Sequence, residues 1–201
     1  MTKIKLCGLR REDDIEYVNK LLPDYIGFVF APASKRYISP DDALLLRKKL
    51  SPEIVPVGVF VDEAPETVAE YVSRGIIDVV QLHGHENNEY IERLRKLTTA
   101  PIIQAFRIAC SDDVEKANAS AGDLVLLDSG GGSGETFDHS LIKGISRSYF
   151  LAGGLTPENV SEAVNEFRPY AVDASSSLEK DGFKVYNKMK AFIDAIRRKD
   201  E

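Results

Sequence analysis

Two side chains able to move protons close short apolar runs. Asp128 ends Leu124-Val125-Leu126-Leu127-Asp128. A carboxylate there is costly to bury unless it is paired or used, which favours a working acid. Cys7 ends Ile4-Lys5-Leu6-Cys7 and is followed by Gly8. On spacing alone it reads as a small buried hydrophobe, the usual fate of a free cysteine; the chemical alternative is a thiol base or nucleophile. His83 ends Val80-Gln81-Leu82-His83, as a ligand contact or a hydrogen-bonded core residue in equal measure. No second histidine or carboxylate shares its element at ligand spacing, so no metal site is expected. Arg36, after Phe30-Ala31-Pro32-Ala33-Ser34-Lys35, could fork a carboxylate or phosphate; without context it reads as a solvated surface arginine.

Three further segments suit ligand binding. Ser129–Gly134 has four glycines in six residues, which lets backbone approach a ligand closely. Gly153-Gly154 follows Tyr149–Ala152, and Ser175-Ser176-Ser177 follows Asp173-Ala174.

These residues must be positioned by the elements they terminate. Strand-like runs are expected over Ile4–Cys7, Tyr25–Phe30, Val55–Val61, Asp78–His83, Pro101–Arg107, Leu124–Asp128, Tyr149–Ala152 and Tyr170–Ala174. Most are apolar throughout, as parallel strands covered on both faces should be. Amphipathic stretches alternate with them: Ile15, Val18 and Leu22 share a helical face, as do Val185, Met189, Phe192, Ile193 and Ile196. Helix starts are expected at Ser39-Pro40-Asp41-Asp42, Ser111-Asp112-Asp113 and Thr156-Pro157-Glu158.

Eight strands, each followed by a helix, at roughly 25 residues per unit, predict a closed (β/α)8 TIM barrel forming a single domain over 1–201. An open doubly wound sheet usually has fewer strands in this length, and no G-x-G-x-x-G follows the first strand. In a barrel, chemistry gathers where strands run into the following loops, and the loops after strands seven and eight frequently bind phosphate. Gly153, Gly154, Ser175 and Ser176 fall there and predict a phosphorylated substrate.

The net charge of −6 argues against broad nucleic-acid binding and a basic membrane face. No apolar run reaches the ~18 residues of a membrane span, and no apolar signal core follows Lys3 and Lys5. With only Cys7 and Cys110, a reduced cytoplasmic setting is expected. These features name no oligomeric state; a homodimer is compatible with them.

Taken together, the strand ends resemble those of the phosphoribosylanthranilate isomerase family. The matching segments are Lys5-Leu6-Cys7-Gly8, Gly27-Phe28-Val29-Phe30 with Ser34-Lys35-Arg36, Val57-Gly58-Val59-Phe60, Val80-Gln81-Leu82-His83-Gly84, Leu127-Asp128-Ser129, Gly132-Ser133-Gly134 with Phe137-Asp138, Leu151-Ala152-Gly153-Gly154-Leu155, and Val172-Asp173 with Ser175-Ser176. They are in order and span almost the whole chain. The resemblance implies a cofactor-free Amadori rearrangement of a phosphorylated aminosugar in tryptophan biosynthesis. It implies Cys7 as general base, Asp128 as general acid and Arg36 as the binder of the anthranilate carboxylate. It places His83 among the substrate contacts and Gly134, Gly153, Gly154, Ser175 and Ser176 around the phosphate. Asp173 is expected to organise the last loop or touch a hydroxyl. Burial at the strand end is expected to favour a protonated Asp128. The chain departs from the family pattern at Ser133, usually threonine, at His139, often tryptophan, and at Ser177, usually glycine, where a positive φ would strain the serine. Cys110 matches no functional motif.

Overall fold

The computed structural model describes residues 1–128 and 141–197. Eight parallel strands close on themselves in chain order: β1 (Lys3–Cys7), β2 (Tyr25–Val29), β3 (Val55–Phe60), β4 (Val79–Leu82), β5 (Ile102–Arg107), β6 (Leu124–Asp128), β7 (Tyr149–Ala152) and β8 (Ala171–Ala174). The closing seam pairs β1 with β8, with Lys5 opposite Asp173. Each strand lies within a residue or two of its expected run.

Around the barrel run α1 (Glu12–Leu21), α2 (Pro40–Arg47), α3 (Pro65–Ser73), α4 (Asn88–Arg95), α5 (Ser111–Asn118), α6 (Val160–Phe167) and α7 (Tyr186–Arg197). Ile15 and Val18 of α1, and Met189, Phe192, Ile193 and Ile196 of α7, bury their shared faces against the strands. Burying a side chain of this size stabilises the fold by about 1.5–3 kcal/mol. None of the described helices is long and apolar enough to cross a membrane.

Three local expectations are corrected. Among the described residues, β6 is followed only by a short 3-10 helix, Leu141–Gly144, rather than by an α-helix. Helix α5 is capped one residue earlier than Ser111: Asp113 reaches back to accept from the Ala109 and Cys110 amides, so Cys110 takes the cap. Thr156-Pro157-Glu158 forms a turn, and α6 starts at Val160 because the Asn159 carboxamide closes that turn onto the Thr156 amide. At α2 the expectation holds, with the Ser39 hydroxyl accepting from the Asp42 amide at 3.1 Å.

The period of two along a strand decides what lines the barrel. Tyr25, Val57, Val79, Ile103, Leu126, Phe150 and Ala171 fill its lower interior. Two residues further along the same faces come Gln81, Asp128 and Asp173, and β1 contributes Lys5 and Cys7. The interior is therefore apolar at one end and polar at the C-terminal mouth.

Candidate active site in the barrel mouth

A cavity of about 330 Å³ opens at that mouth. Cys7, Arg36, His83, Asp128, Gly153, Gly154, Asp173, Ser175 and Ser176 all line it, from the ends of six of the eight strands or the loops after them. The barrel thus gathers every expected site residue that lies within the described part of the chain. Gly134, with Ser133 and His139, lies outside the described residues.

Cys7 is buried, its sulfur packed with Val29 and Val59 at the top of the interior. Gly27 on the adjoining strand makes room for it: a Cβ there would stand 2.5 Å from the Cys7 sulfur. Burial pushes the thiol above its ordinary pKa, and the charges of Lys5 and Lys184 pull against that shift.

Lys5 points inward from β1 and is fully buried. Its Nζ lies 2.9 Å from Asp173 Oδ2 across the seam. The lysine pKa rises despite burial, because the neighbouring Asp173 and Cys7 favour its charged form. The other Asp173 oxygen, Oδ1, is buried without a hydrogen-bond partner among the described residues, as is Gln81 Oε1. Both belong to cavity-lining residues. Buried acceptors left unmet beside a cavity suit a ligand that brings hydroxyl donors.

Asp128 sits on the rim rather than in the interior. Its side chain is 31% exposed and its Oδ2 is 3.7 Å from His83 Nε2. The expectation that apolar burial governs this carboxyl is therefore corrected: β6 ends at the mouth, where solvent reaches the side chain.

Arg36 is not a free surface cation. Its Nε and Nη2 donate to Glu179 Oε1 and Oε2 at 2.7 and 2.9 Å, which leaves the Nη1 edge for another anion. Glu179 also accepts from Lys184 Nζ at 2.6 Å, and these two cations hold its carboxyl below the usual range against burial. Lys184 in turn donates to the Ser175 carbonyl at 3.0 Å. Glu179 and Lys184 lie on the paired two-residue strands β9 (Glu179–Lys180) and β10 (Phe183–Lys184). Arg10 and Arg11 strap that hairpin down, each over the Phe183 ring and each bonded to a hairpin carbonyl.

In the expected phosphate region, Gly153 and Gly154 both have positive φ, at 89° and 64°. A side chain at either would be strained, and both glycines line the cavity. The Ser175 hydroxyl is committed, donating to the Cys7 carbonyl at 3.0 Å, so its side chain locks β8 to the end of β1. Ser176 opens a 3-10 turn, Ser176–Leu178. Ser177 is not among the residues with positive φ, so serine there is unstrained.

Lys5, Gln81, Glu179 and Lys184 were missed in the sequence reading. For Lys5 and Gln81 the signal was present: each is a polar residue inside an apolar strand, on the same face as Cys7 or His83. Nothing local marked Glu179 or Lys184, whose meaning depends on a hairpin folding over the mouth. Among the described residues, no group of three or more histidine, cysteine or acidic side chains could hold a metal.

A closed (β/α)8 barrel whose mouth gathers a thiol, a carboxyl and a bound arginine is the architecture of a barrel enzyme built for acid–base work on a small anionic substrate. Residues 4–195 match the family model described as N-(5'phosphoribosyl)anthranilate (PRA) isomerase. The chain is 45% identical to the N-(5'-phosphoribosyl)anthranilate isomerase of Caldanaerobacter subterraneus subsp. tengcongensis, covering 98% of each. It superposes on the phosphoribosyl anthranilate isomerase of Thermotoga maritima with a TM-score of 0.88 at 38% identity, covering 98% of this chain and 100% of that one. A second isomerase structure, in complex with reduced 1-(o-carboxyphenylamino)-1-deoxyribulose 5-phosphate, gives 0.86 at 36% identity, with 98% and 100% covered. The chain belongs to the phosphoribosylanthranilate isomerase family.

Proposed function

We propose that the barrel mouth converts N-(5'-phosphoribosyl)anthranilate to 1-(2-carboxyphenylamino)-1-deoxyribulose 5-phosphate, with Asp128 as general acid and Cys7 as general base. The observation that carries this reading is that Cys7 and Asp128, from β1 and β6, line one cavity together with Arg36.

The chemistry follows from those positions. Asp128 gives its proton to the furanose ring oxygen as the C1'–O bond breaks. The anilino nitrogen supplies the electron pair and becomes a protonated Schiff base. That cation acidifies the C2' proton, which the Cys7 thiolate removes. The C2'–H electrons form the C1'=C2' double bond and those of C=N return to nitrogen, giving an enolamine. Loss of the C2' hydroxyl proton and gain of one at C1' gives the ketone. Burial and the Asp173 carboxylate oppose the thiolate, and Lys5 and Lys184 supply positive charge near the sulfur that offsets part of that opposition.

The remaining contacts follow by charge. Arg36 Nη1 meets the anthranilate carboxylate, while Glu179 keeps the guanidinium edge-on. The loop amides at Gly153 and Gly154 and the turn at Ser176 receive the phosphate. Asp173 Oδ1 accepts a sugar hydroxyl.

The test is anthranilate-type fluorescence with phosphoribosylanthranilate generated in place. Wild type discharges the signal, whereas Cys7→Ala and Asp128→Asn stay folded, bind a reduced product analogue and do not turn over. Wild-type rates in both variants would sink the assignment of roles.

A further inference from the structure

Gln81 is the most deeply buried uncharged polar side chain in the mouth, 1% exposed, and the reaction as written gives it nothing to do. It faces inward from β4 two residues before His83, so the two side chains stack along one strand face. Its Nε2 lies 2.9 Å from His83 Nδ1. A carboxamide nitrogen only donates, so Nδ1 must be the acceptor in this bond. A neutral His83 then carries its proton on Nε2, the nitrogen that stands 3.7 Å from Asp128 Oδ2.

We infer that Gln81 is a positioning residue for the acid half of the reaction: it fixes His83 as the Nε2–H tautomer, and His83 then fixes which Asp128 oxygen carries the proton. An Nε2–H that meets Oδ2 makes that oxygen the acceptor, and a proton on the carboxyl then resides on Oδ1. The separation of 3.7 Å is longer than a hydrogen bond, and catalytic hydrogen bonds are often long until substrate binds. The reverse carboxamide orientation would make Nδ1 the donor and turn the Nε2 lone pair toward Asp128, so the protonated ring nitrogen reports directly on Gln81. Gln81 is a cavity-lining residue and its Oε1 has no partner among the described residues, so a substrate hydroxyl that reaches it would hold the carboxamide in place. This inference rests on the proposed acid role of Asp128.

The chain has three histidines, His83, His85 and His139, so histidine-selective 15N labelling resolves the ring directly. Two-bond proton–nitrogen correlation at alkaline pH, with His83→Asn to assign the signals, should show the Nε2–H form at His83 in wild type. Gln81→Met should lose that preference. Gln81→Glu should invert it, because a carboxylate accepts from Nδ1–H. Both variants should lower kcat by about 10- to 100-fold, the range for partners that orient metal-bound histidines, with a smaller change in KM. An Nδ1–H form in wild type overturns the inference and needs no variant to fold. So does wild-type kcat in a folded Gln81→Met that still binds the reduced product analogue. Asp128→Asn separates the two claims: full turnover there removes the acid role itself, whereas its inactivity beside an active Gln81→Met removes only the role of Gln81.

Discussion

Lys5 Nζ and Asp173 Oδ2 meet at 2.9 Å across the β1–β8 seam, in the strand layer just below Cys7. The pair is buried on both sides, so neither charge can be removed without stranding the other. It ties the last strand to the first at the floor of the mouth cavity.

Lys5→Met should therefore destabilise the fold by about 3–5 kcal/mol, the cost of an uncompensated buried charge. Lys5→Met combined with Asp173→Asn should recover much of that loss. Urea denaturation of both singles and the double variant completes the cycle; strict additivity would show that the two side chains do not act as a pair.

The Cys7 thiol is pushed above its ordinary pKa by burial. A base works only when deprotonated, and the thiolate fraction of Cys7 rises with pH through neutrality into the alkaline range. Alkylation of Cys7 by iodoacetamide in a Cys110→Ser background should rise with it, whereas kcat/KM also needs Asp128 protonated and does not follow the thiol alone. Cys7→Ser should abolish this alkylation and lower turnover by about 10²–10⁴-fold. Alkylation that is already maximal near pH 6 would contradict a raised thiol.

Arg36→Met should raise KM rather than lower kcat, because a carboxylate contact far from C1' and C2' is made equally in substrate and transition state. A lost charge-assisted hydrogen bond of about 1.5–3 kcal/mol corresponds to roughly a 10- to 100-fold change. Steady-state kinetics decide it, and a kcat effect of that size with KM unchanged would place Arg36 at the reacting centre instead.

Gly27→Ala places a methyl group 2.5 Å from the Cys7 sulfur. The thiol must move, so kcat should fall while stability drops by only about 1–3 kcal/mol, the usual cost of overpacking. Thermal unfolding and turnover, measured together, should show the second much more affected than the first.

The strands were legible because apolar runs of four to six residues, bounded by turns and helix caps, are a strong local signal. Asp128 was legible too, as a carboxylate that closes an apolar run, whereas Cys7 read as a buried hydrophobe and His83 as undecided until the family resemblance gave them and Asp173 a place. Two kinds of feature were not legible. Asp128's exposure depends on where β6 ends relative to its neighbours, a matter of barrel stagger rather than composition. The partner of Arg36 is Glu179, 143 residues away on a hairpin whose position is set by Arg10, Arg11 and Phe183. The cap of α5 was misplaced by one residue because Asp113 can reach back to Cys110 as well as Ser111 can start a turn.

The barrel seam also sets a timetable. Lys5 and Asp173, like Cys7 and Ser175, are 168 residues apart. A ribosome adding about 5–20 residues per second needs on the order of 10–30 s to pass from one to the other. For that interval a nascent chain carries its thiol and Lys5 without Lys184 and the hairpin that complete its surroundings in the finished barrel. Completion of the barrel mouth thus waits for the last quarter of the polypeptide, which supplies β8 and the hairpin that seat the thiol.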